Sequence, residues 1–119
     1  MTEIEKYLLE NIVYSAKHGT FKKRHSGFVI TPRCLNRYKN YHIVIDRRSN
    51  NDVINVPAWR VAFLLSFGSF PNKLDSIRFK DNNTQNFKME NLELIKYFDD
   101  ESSIKDFCFD HNLKFITVV

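Results

Sequence analysis

Residues 53–68, VINVPAWRVAFLLSFG, decide the fold, because a strand pattern turns into a helix pattern within them. The apolar run that begins at Val53 ends at Pro57, and proline suits the first position of a helix, where its missing N–H costs nothing. The residues that follow are apolar on nearly every side, which predicts a buried helix. Gly68 predicts the end of that helix. The stretch therefore predicts a strand that leads directly into a central helix.

Short antiparallel strands are predicted upstream of this stretch. Residues 38–46 have apolar side chains at alternate positions, namely Tyr41, Ile43 and Ile45. The polar run of residues 48–52 predicts a hairpin loop between this strand and the next. Residues 20–25 and 27–31 are predicted as two further strands. Pro32 has no N–H to donate and is expected to interrupt any further pairing.

Helices are predicted at both ends of the chain. Residues 2–13 have an apolar stripe at helical spacing, with Thr2 as the N-cap and Glu5 in the capping-box position. Residues 101–112 are predicted as a C-terminal helix, and residues 115–119 as a final strand.

These elements predict an α+β fold, and the chain of 119 residues has the length of one domain. Residues 1–72 are expected to hold the N-terminal helix and a small antiparallel basic sheet packed on the buried helix. Residues 73–119 are expected to form the second part of the same domain, with an irregular polar segment at 73–95 and the C-terminal helix.

Charge is distributed unevenly along the chain, whose net charge is +4. Between Lys17 and Arg48 nine basic residues face one acidic residue, Asp46, so this stretch carries +8 and the remainder carries −4. Such asymmetry is typical of a surface that binds a polyanion, above all nucleic acid, although a merely solvated basic surface is the alternative. The residues of suitable type to contact phosphates and base edges are Lys22, Lys23, Arg24, Arg33, Asn36, Arg37, Lys39, Asn40, His42, Arg47 and Arg48. A basic hairpin around residues 36–56 is predicted to enter the major groove of duplex DNA.

Several classes of protein are disfavoured by the sequence. No apolar run approaches the roughly 20 residues that span a bilayer, and the acidic N-terminus lacks the basic start of a signal peptide. Cys34 and Cys108 have no metal-binding spacing and are predicted to be reduced thiols, which favours a cytoplasmic location. The sequence has no Walker loop, no HExxH motif and no Ser elbow, so neither a metal nor another cofactor is expected.

An ordered set of short segments extends from about residue 6 to residue 95. They are Leu8-Leu9-Glu10 to Tyr14, Gly19-Thr20-Phe21-Lys22-Lys23, Tyr41-His42-Ile43-Val44-Ile45, Val56 to Phe63, Phe67-Gly68-Ser69-Phe70-Pro71, Leu74-Asp75-Ser76-Ile77 and Glu90-Asn91-Leu92. In this order and with this spacing they resemble the segments of phage-type HNH homing endonucleases. The resemblance implies a remnant of the HNH ββα region after residue 72, and double-stranded DNA as the partner.

This sequence departs from the family's pattern at the positions of the catalytic histidines. Ser76 stands where the family has a histidine after aspartate, and Trp59 stands where it has a histidine before arginine. HNH cleavage needs a histidine as general base and a bound divalent metal, and neither a serine hydroxyl nor an indole replaces them. The resemblance therefore implies a protein that has lost catalysis and has no catalytic residues. The oxygen-bearing residues that remain are interpreted as loop-forming rather than metal-binding, namely Asp81, Asn82, Asn86 and Asn91.

Three functions follow from these observations. The first is sequence-specific binding of double-stranded DNA without cleavage, by a transcriptional repressor of phage or phage-satellite origin that derives from a homing endonuclease. A homodimer would suit a palindromic operator. The second is an active HNH-type nuclease with a rearranged metal site of Asp75, Asp81 and His42. The third is an inhibitor that binds a host protein through its basic face.

Overall fold

A computed structural model describes residues 1–34 and 40–96 of the chain. It contains two helices, α1 (Glu3–Asn11) and α2 (Ala58–Phe67), among three small antiparallel sheets. The strands are β1 (Ile12–Ser15), β2 (Thr20–Lys23), β3 (Val29–Ile30), β4 (Arg33–Cys34), β5 (Tyr41–Arg47), β6 (Asp52–Pro57), β7 (Ser76–Phe79) and β8 (Leu92–Ile95). This architecture confirms the predicted α+β fold class. The predicted helix 101–112 and strand 115–119, together with Cys108, lie outside the described residues.

The first helix begins as predicted and ends earlier. Thr2 and Glu5 form the capping box, because the Thr2 side chain accepts from the Glu5 backbone N–H and the Glu5 carboxylate accepts from the Thr2 backbone N–H. The predicted end at residue 13 is wrong, since Ile12 already has an extended backbone, with φ −124° and ψ 140°. Ile12 and Val13 are β-branched and belong to β1, a strand that the sequence analysis missed.

The first two sheets have the orders β1-β2-β3 and β4-β5-β6. Pro32 does not end the pairing, contrary to the prediction, because it lies just outside β4. In that strand Arg33 pairs with His42, and Cys34 pairs with Tyr41. Proline has no N–H for a ladder, but at a position before a strand none is needed.

The stretch that decides the fold behaves largely as predicted. Pro57 is the last residue of β6 and caps α2 instead of being its first residue. Gly68 ends the helix with a left-handed backbone, φ 86°, and its N–H bonds to the Leu64 carbonyl at 2.8 Å. Ala58, Val61, Ala62 and Leu64 are fully buried, which makes α2 the centre of the hydrophobic core.

A third sheet occupies part of the segment that was predicted to be irregular. Ile77 pairs with Leu94 and Phe79 with Leu92, so β7 and β8 form a hairpin whose apolar positions pack on the core. The sequence analysis missed these strands because the polar loop between them, residues 80–91, dominates the composition of the segment. One core cluster extends from Leu8 to Leu92 and joins all three sheets to α2.

The 80–91 loop is attached to the first sheet through Phe87. This side chain is 4% exposed and lies edge-on to Phe21 and Phe79, with ring centroids 5.9 and 5.8 Å away. The Tyr14 hydroxyl donates to the Phe87 carbonyl, and burial raises the pKa of Tyr14 to about 12, so the phenol keeps its proton. Gly19 approaches so closely that a Cβ there would lie 2.5 Å from the Lys88 nitrogen.

Among the described residues, neither helix has the length and apolar character needed to cross a membrane.

Candidate nucleic-acid interface

The outer face of the first sheet carries basic and apolar side chains together. In register across the three strands lie Val13, Lys22 and Val29, while the neighbouring Phe21 points into the core. Val13 is 41% exposed and Val29 is 62% exposed. We call this row the outer face. Its lysine ammonium suits phosphate and its valines suit apolar groups such as the thymine methyl.

The predicted basic residues next to this face are also exposed, although one of them has partners. Lys23 and Arg24 are both exposed. The Arg24 guanidinium donates to the carbonyls of Leu9 and Ile12, at 3.3 and 3.5 Å, where α1 ends. A cation at a helix C-terminus is favourable, so Arg24 stabilises the junction of α1 and β1. Lys22 and Lys23 therefore remain the strongest described candidates for phosphate contacts.

The second sheet brings together three other predicted residues. Arg33 pairs with His42 across β4 and β5, and the exposed Asn40 directly precedes β5. His42 is half-buried, and its Nδ1 is buried without a hydrogen-bond partner among the described residues. Asn36, Arg37 and Lys39, which are also predicted to contact DNA, lie outside the described residues.

Arg47 lies in a network of ion pairs and hydrogen bonds that the sequence did not predict. It is 7% exposed, and its guanidinium donates to both carboxylate oxygens of Asp52 and, at 2.8 Å, to Glu3 Oε1. The guanidinium also lies over the Tyr7 ring, 5.0 Å from the centroid. These hydrogen bonds hold the pKa of Arg47 above its ordinary value. In this placement two carboxylates pair with the guanidinium, which joins α1 to the β5–β6 hairpin, and a contact of Arg47 with DNA stays a prediction.

Its neighbour Arg48 is at the tip of the same hairpin and faces solvent. Its side chain is 93% exposed, with a single loose contact of 3.7 Å to Asp46. Exposed pairs of this kind add little stability, so the guanidinium is available to a partner. Asp46 nevertheless offsets part of the charge, which makes the hairpin tip less basic than the sequence suggested.

The positions that resemble the nuclease centre are occupied by structural contacts. The Asp75 side chain is fully buried, and its Oδ2 accepts from the Asn72 N–H at 3.0 Å and from Lys96 Nζ at 3.3 Å. Ser76 is exposed at the start of β7. The carboxylate that would precede the family's histidine is thus bound to a lysine, a cation that competes with any metal.

The 80–91 loop uses its polar side chains on itself. The Asp81 carboxylate accepts from Asn86 Nδ2 at 2.8 Å, from the Asn83 N–H at 2.8 Å and from Asn91 Nδ2 at 3.0 Å. The hydrogen bond from Asn86, with the smaller contributions of Asn83 and Asn91, lowers the pKa of Asp81. Asn82 adopts the left-handed backbone, φ 62°, that asparagine tolerates in turns. The loop-forming interpretation of these residues agrees with this geometry.

The described residues do not bring together the triad of a rearranged metal site. Asp75 lies just before β7, Asp81 in the loop after that strand and His42 on β5. Within residues 1–34 and 40–96, no group of three or more His, Cys, Asp or Glu side chains is arranged to hold a metal ion.

Arg60 has a role that the sequence analysis missed. Its guanidinium donates to the Pro71 carbonyl at 2.7 Å and to the Asn72 carbonyl at 3.3 Å. It also lies over the rings of Trp59 and Phe70, 5.2 and 5.7 Å from their centroids. Arg60 therefore ties the first turn of α2 to the segment that leads to Asp75. The sequence feature that could have indicated this role is the position of Arg60 directly after Trp59, in the segment that resembles the nuclease family.

A cavity of about 430 Å³ opens beside Trp59, and the sequence analysis did not predict it. It lies where the start of β5, the first turn of α2, strand β7 and the 80–91 loop meet. Its principal walls are formed by Tyr41, His42, Trp59, Phe79, Thr84 and Phe87. The four elements are far apart in sequence, so only the folded chain places these side chains together.

No family model matches the chain, and no curated protein matches its sequence. Among solved structures, the chain is similar to one described as "DNA binding and cleavage by the HNH homing endonuclease I-HmuI", with a TM-score of 0.53 and 12% identity. The match covers 89% of this chain and 56% of the other, so this chain spans little more than half of that endonuclease. At this identity the likeness concerns the fold, and it confirms the HNH-like fold that the resemblance implied.

Proposed function

We propose that this chain binds double-stranded DNA at a defined sequence without cutting it, and that it acts as a transcriptional repressor derived from an HNH homing endonuclease. The observation that carries the proposal is a contrast between charges. Lys22, Lys23, Arg33 and Arg48 are exposed, whereas the Asp75 carboxylate is buried against Lys96. The groups that suit phosphate remain accessible, and the group that suits a metal has a protein partner.

DNA as the partner is supported by the fold and by the outer face. The endonuclease of similar fold is described as binding and cleaving DNA. On the outer face Lys22 lies between Val13 and Val29, which combines a phosphate contact with two apolar contacts. The binding is expected to weaken steeply with salt, because each phosphate contact releases counterions.

Loss of cleavage is supported by residue identity and by the contacts of the remaining acids. Ser76 and Trp59 have no side-chain group that accepts a proton from water near neutral pH. The Asp81 carboxylate is held by Asn83, Asn86 and Asn91. A metal at either acid would have to replace several hydrogen bonds of the protein.

A repressor role requires tight and specific binding and no chemistry, because a bound protein obstructs RNA polymerase by occupying the promoter. A cytoplasmic protein of phage or phage-satellite origin fits this role. A homodimer on a palindromic operator would place two outer faces on successive half-sites.

The proposal is tested by selecting bound fragments from candidate phage and host genomes with the purified chain. We expect one sequence to be enriched and its fragment to be shifted in a gel at physiological salt, with scrambled DNA shifted only at low salt. The same fragment is then incubated with Mg²⁺ or Mn²⁺, and we expect it to stay intact. Specific nicking at low protein concentration would instead establish a nuclease. Failure to bind any duplex in dilute buffer would favour a protein partner for the basic face.

A further inference from the structure

We propose that the cavity beside Trp59 binds an unstacked nucleobase of the nucleic acid that the chain contacts. The inference rests on the proposed function only for the source of the base, which is either a nucleotide extruded from a duplex or one in a single strand. The chemistry is the same in both cases, because a base outside the stack exposes two flat faces and a polar edge.

The walls of the cavity have the shape and polarity for a flat aromatic ligand. Rings of Tyr41, Trp59, Phe79 and Phe87 line it, and a volume of about 430 Å³ lies within the usual range of small-molecule sites. Trp59 is fixed there by the Arg60 guanidinium over its ring and by the edge-on Phe63 at 6.1 Å. Bases stack on such fixed rings without regard to sequence, since every base has a π-face.

Polar groups are placed at the cavity where the edge of a base needs them. Asn40, His42 and Thr84 line it, so amide, imidazole and hydroxyl groups can donate and accept. Gln85 Nε2 donates to the Tyr41 hydroxyl at 2.6 Å, which holds the 80–91 loop against β5 at the rim. Specific binding pockets combine aromatic walls with a few well-placed polar groups, and this cavity has both.

Binding, rather than catalysis, is the function that these walls support. Among the described residues that line the cavity there is no carboxylate and no cysteine. The neighbouring Arg33 is exposed and pairs with His42 across the strands, so a cation lies beside the cavity for the phosphate of the same nucleotide.

Trp59 is the single tryptophan of the chain, so its fluorescence reports on this cavity alone. We would follow its emission during titration with deoxynucleoside monophosphates, with a short single-stranded oligonucleotide and with the duplex that the selection enriches. We expect saturable quenching, because a stacked base contacts the indole directly. A duplex that carries 2-aminopurine at successive positions then shows whether a base leaves the stack. Quenching by single strands only would assign the base to a single strand.

Substitutions test the stacking directly, with a labelled single-stranded oligonucleotide and fluorescence anisotropy. Trp59→Ala is expected to weaken binding about 10-fold, within the range found for removal of a stacking ring. Trp59→Phe keeps a ring and is expected to retain most of the affinity. Phe67→Ala is the matched control, because Phe67 is an exposed aromatic residue at the other end of α2. Circular dichroism establishes that each variant is folded, and Trp59→Phe keeps the test valid if the alanine variant unfolds.

The two proposals fail separately. If the duplex binds while Trp59 emission stays unchanged with every probe, and Trp59→Phe and Trp59→Ala bind like the parent, the cavity proposal is overturned and the DNA-binding proposal stands. If nucleotides or single strands quench Trp59 while no duplex binds, the cavity proposal stands and the DNA-binding proposal is overturned.

Discussion

The 80–91 loop and the outer face of the first sheet both carry polar side chains, and they use them in opposite ways. In the loop Asp81, Asn86 and Asn91 bond to one another and fix the path of the backbone. On the outer face Lys22 lies in solvent between Val13 and Val29. Polar groups whose hydrogen bonds are completed inside the protein build the structure, whereas those left in solvent are the ones a partner can contact.

The largest expected effect comes from the aromatic residue that the loop buries. Phe87→Ala should lower the free energy of unfolding by about 3–5 kcal/mol, because it leaves a cavity between Phe21 and Phe79. Phe28→Ala is the control near the outer face, where the ring is 71% exposed, and should change stability by less than about 0.5 kcal/mol. Urea denaturation measures both, and equal effects would remove the distinction between the two regions.

The next effect concerns the buried amide of the loop. Asn91 is 6% exposed, its Nδ2 donates to Asp81 and to the Asn86 carbonyl, and its Oδ1 accepts from the Asp81 N–H. Asn91→Ala leaves these groups unsatisfied and should cost about 2 kcal/mol of stability. Asn83→Ala removes one exposed hydrogen bond of the same loop, to the Gln85 N–H, and should cost less than about 1 kcal/mol. Urea denaturation measures both variants, and Asn91→Ala is expected to unfold at a lower urea concentration than Asn83→Ala.

For Lys22 on the outer face and the exposed Lys23 beside it, the expected effect is on DNA affinity and not on stability. Replacement of Lys22 and Lys23 together by alanine should weaken duplex binding about 10-fold at physiological salt, through two lost phosphate contacts. The slope of log affinity against log salt should fall by about 2. Lys73→Ala removes an exposed lysine from the segment before Asp75 and serves as the control. An unchanged slope in the double variant would place the DNA interface elsewhere on the chain.

The smallest effect is a dependence of loop stability on pH. The pKa of Asp81 is lowered by Asn86 and its neighbours, so the charged form is favoured in the folded state. Its stabilising contribution is complete above the ordinary aspartate pKa of about 4 and is lost as the pH falls further, because the unfolded chain takes up the proton first. The difference in thermal midpoint between the parent and Asp81→Asn should therefore shrink below pH 4. If this difference in thermal midpoint stays constant down to pH 2, the Asp81 carboxylate has no such role.

Much of the fold was predictable where a local signal was strong. The capping box at Thr2, the change from strand to helix at Pro57 and the end of α2 at Gly68 each depend on a few neighbouring residues. The strands β1, β4, β7 and β8 are as short as two to four residues and were missed because their surroundings indicate something else, namely a continuing helix at β1, a proline before β4 and a polar loop between β7 and β8. Hydrogen bonds to the next strand along the chain define each of these pairs.

The candidate site was predictable only in part, for a related reason. The sequence identified the basic stretch and predicted that Ser76 and Trp59 stand where the nuclease family that it resembles has histidines, since these are matters of residue identity. It did not indicate the ion pair of Asp75 with Lys96, the contact of Arg60 with the Phe70 ring or the cavity beside Trp59. Each of these joins elements that the chain order keeps apart.

The sequence by itself determined the composition of this protein's charges and the types of its helices and longer strands, because those depend on residue chemistry and local periodicity. Tertiary structure alone decided which charges face solvent. Arg47 and Arg48 are adjacent and chemically identical, yet one is buried between Glu3 and Asp52 and the other is exposed. Arg47 is the last residue of β5, whereas Arg48 begins the turn at the tip of the hairpin, so the packing of the sheet on α1 separates a structural arginine from one that a partner can reach.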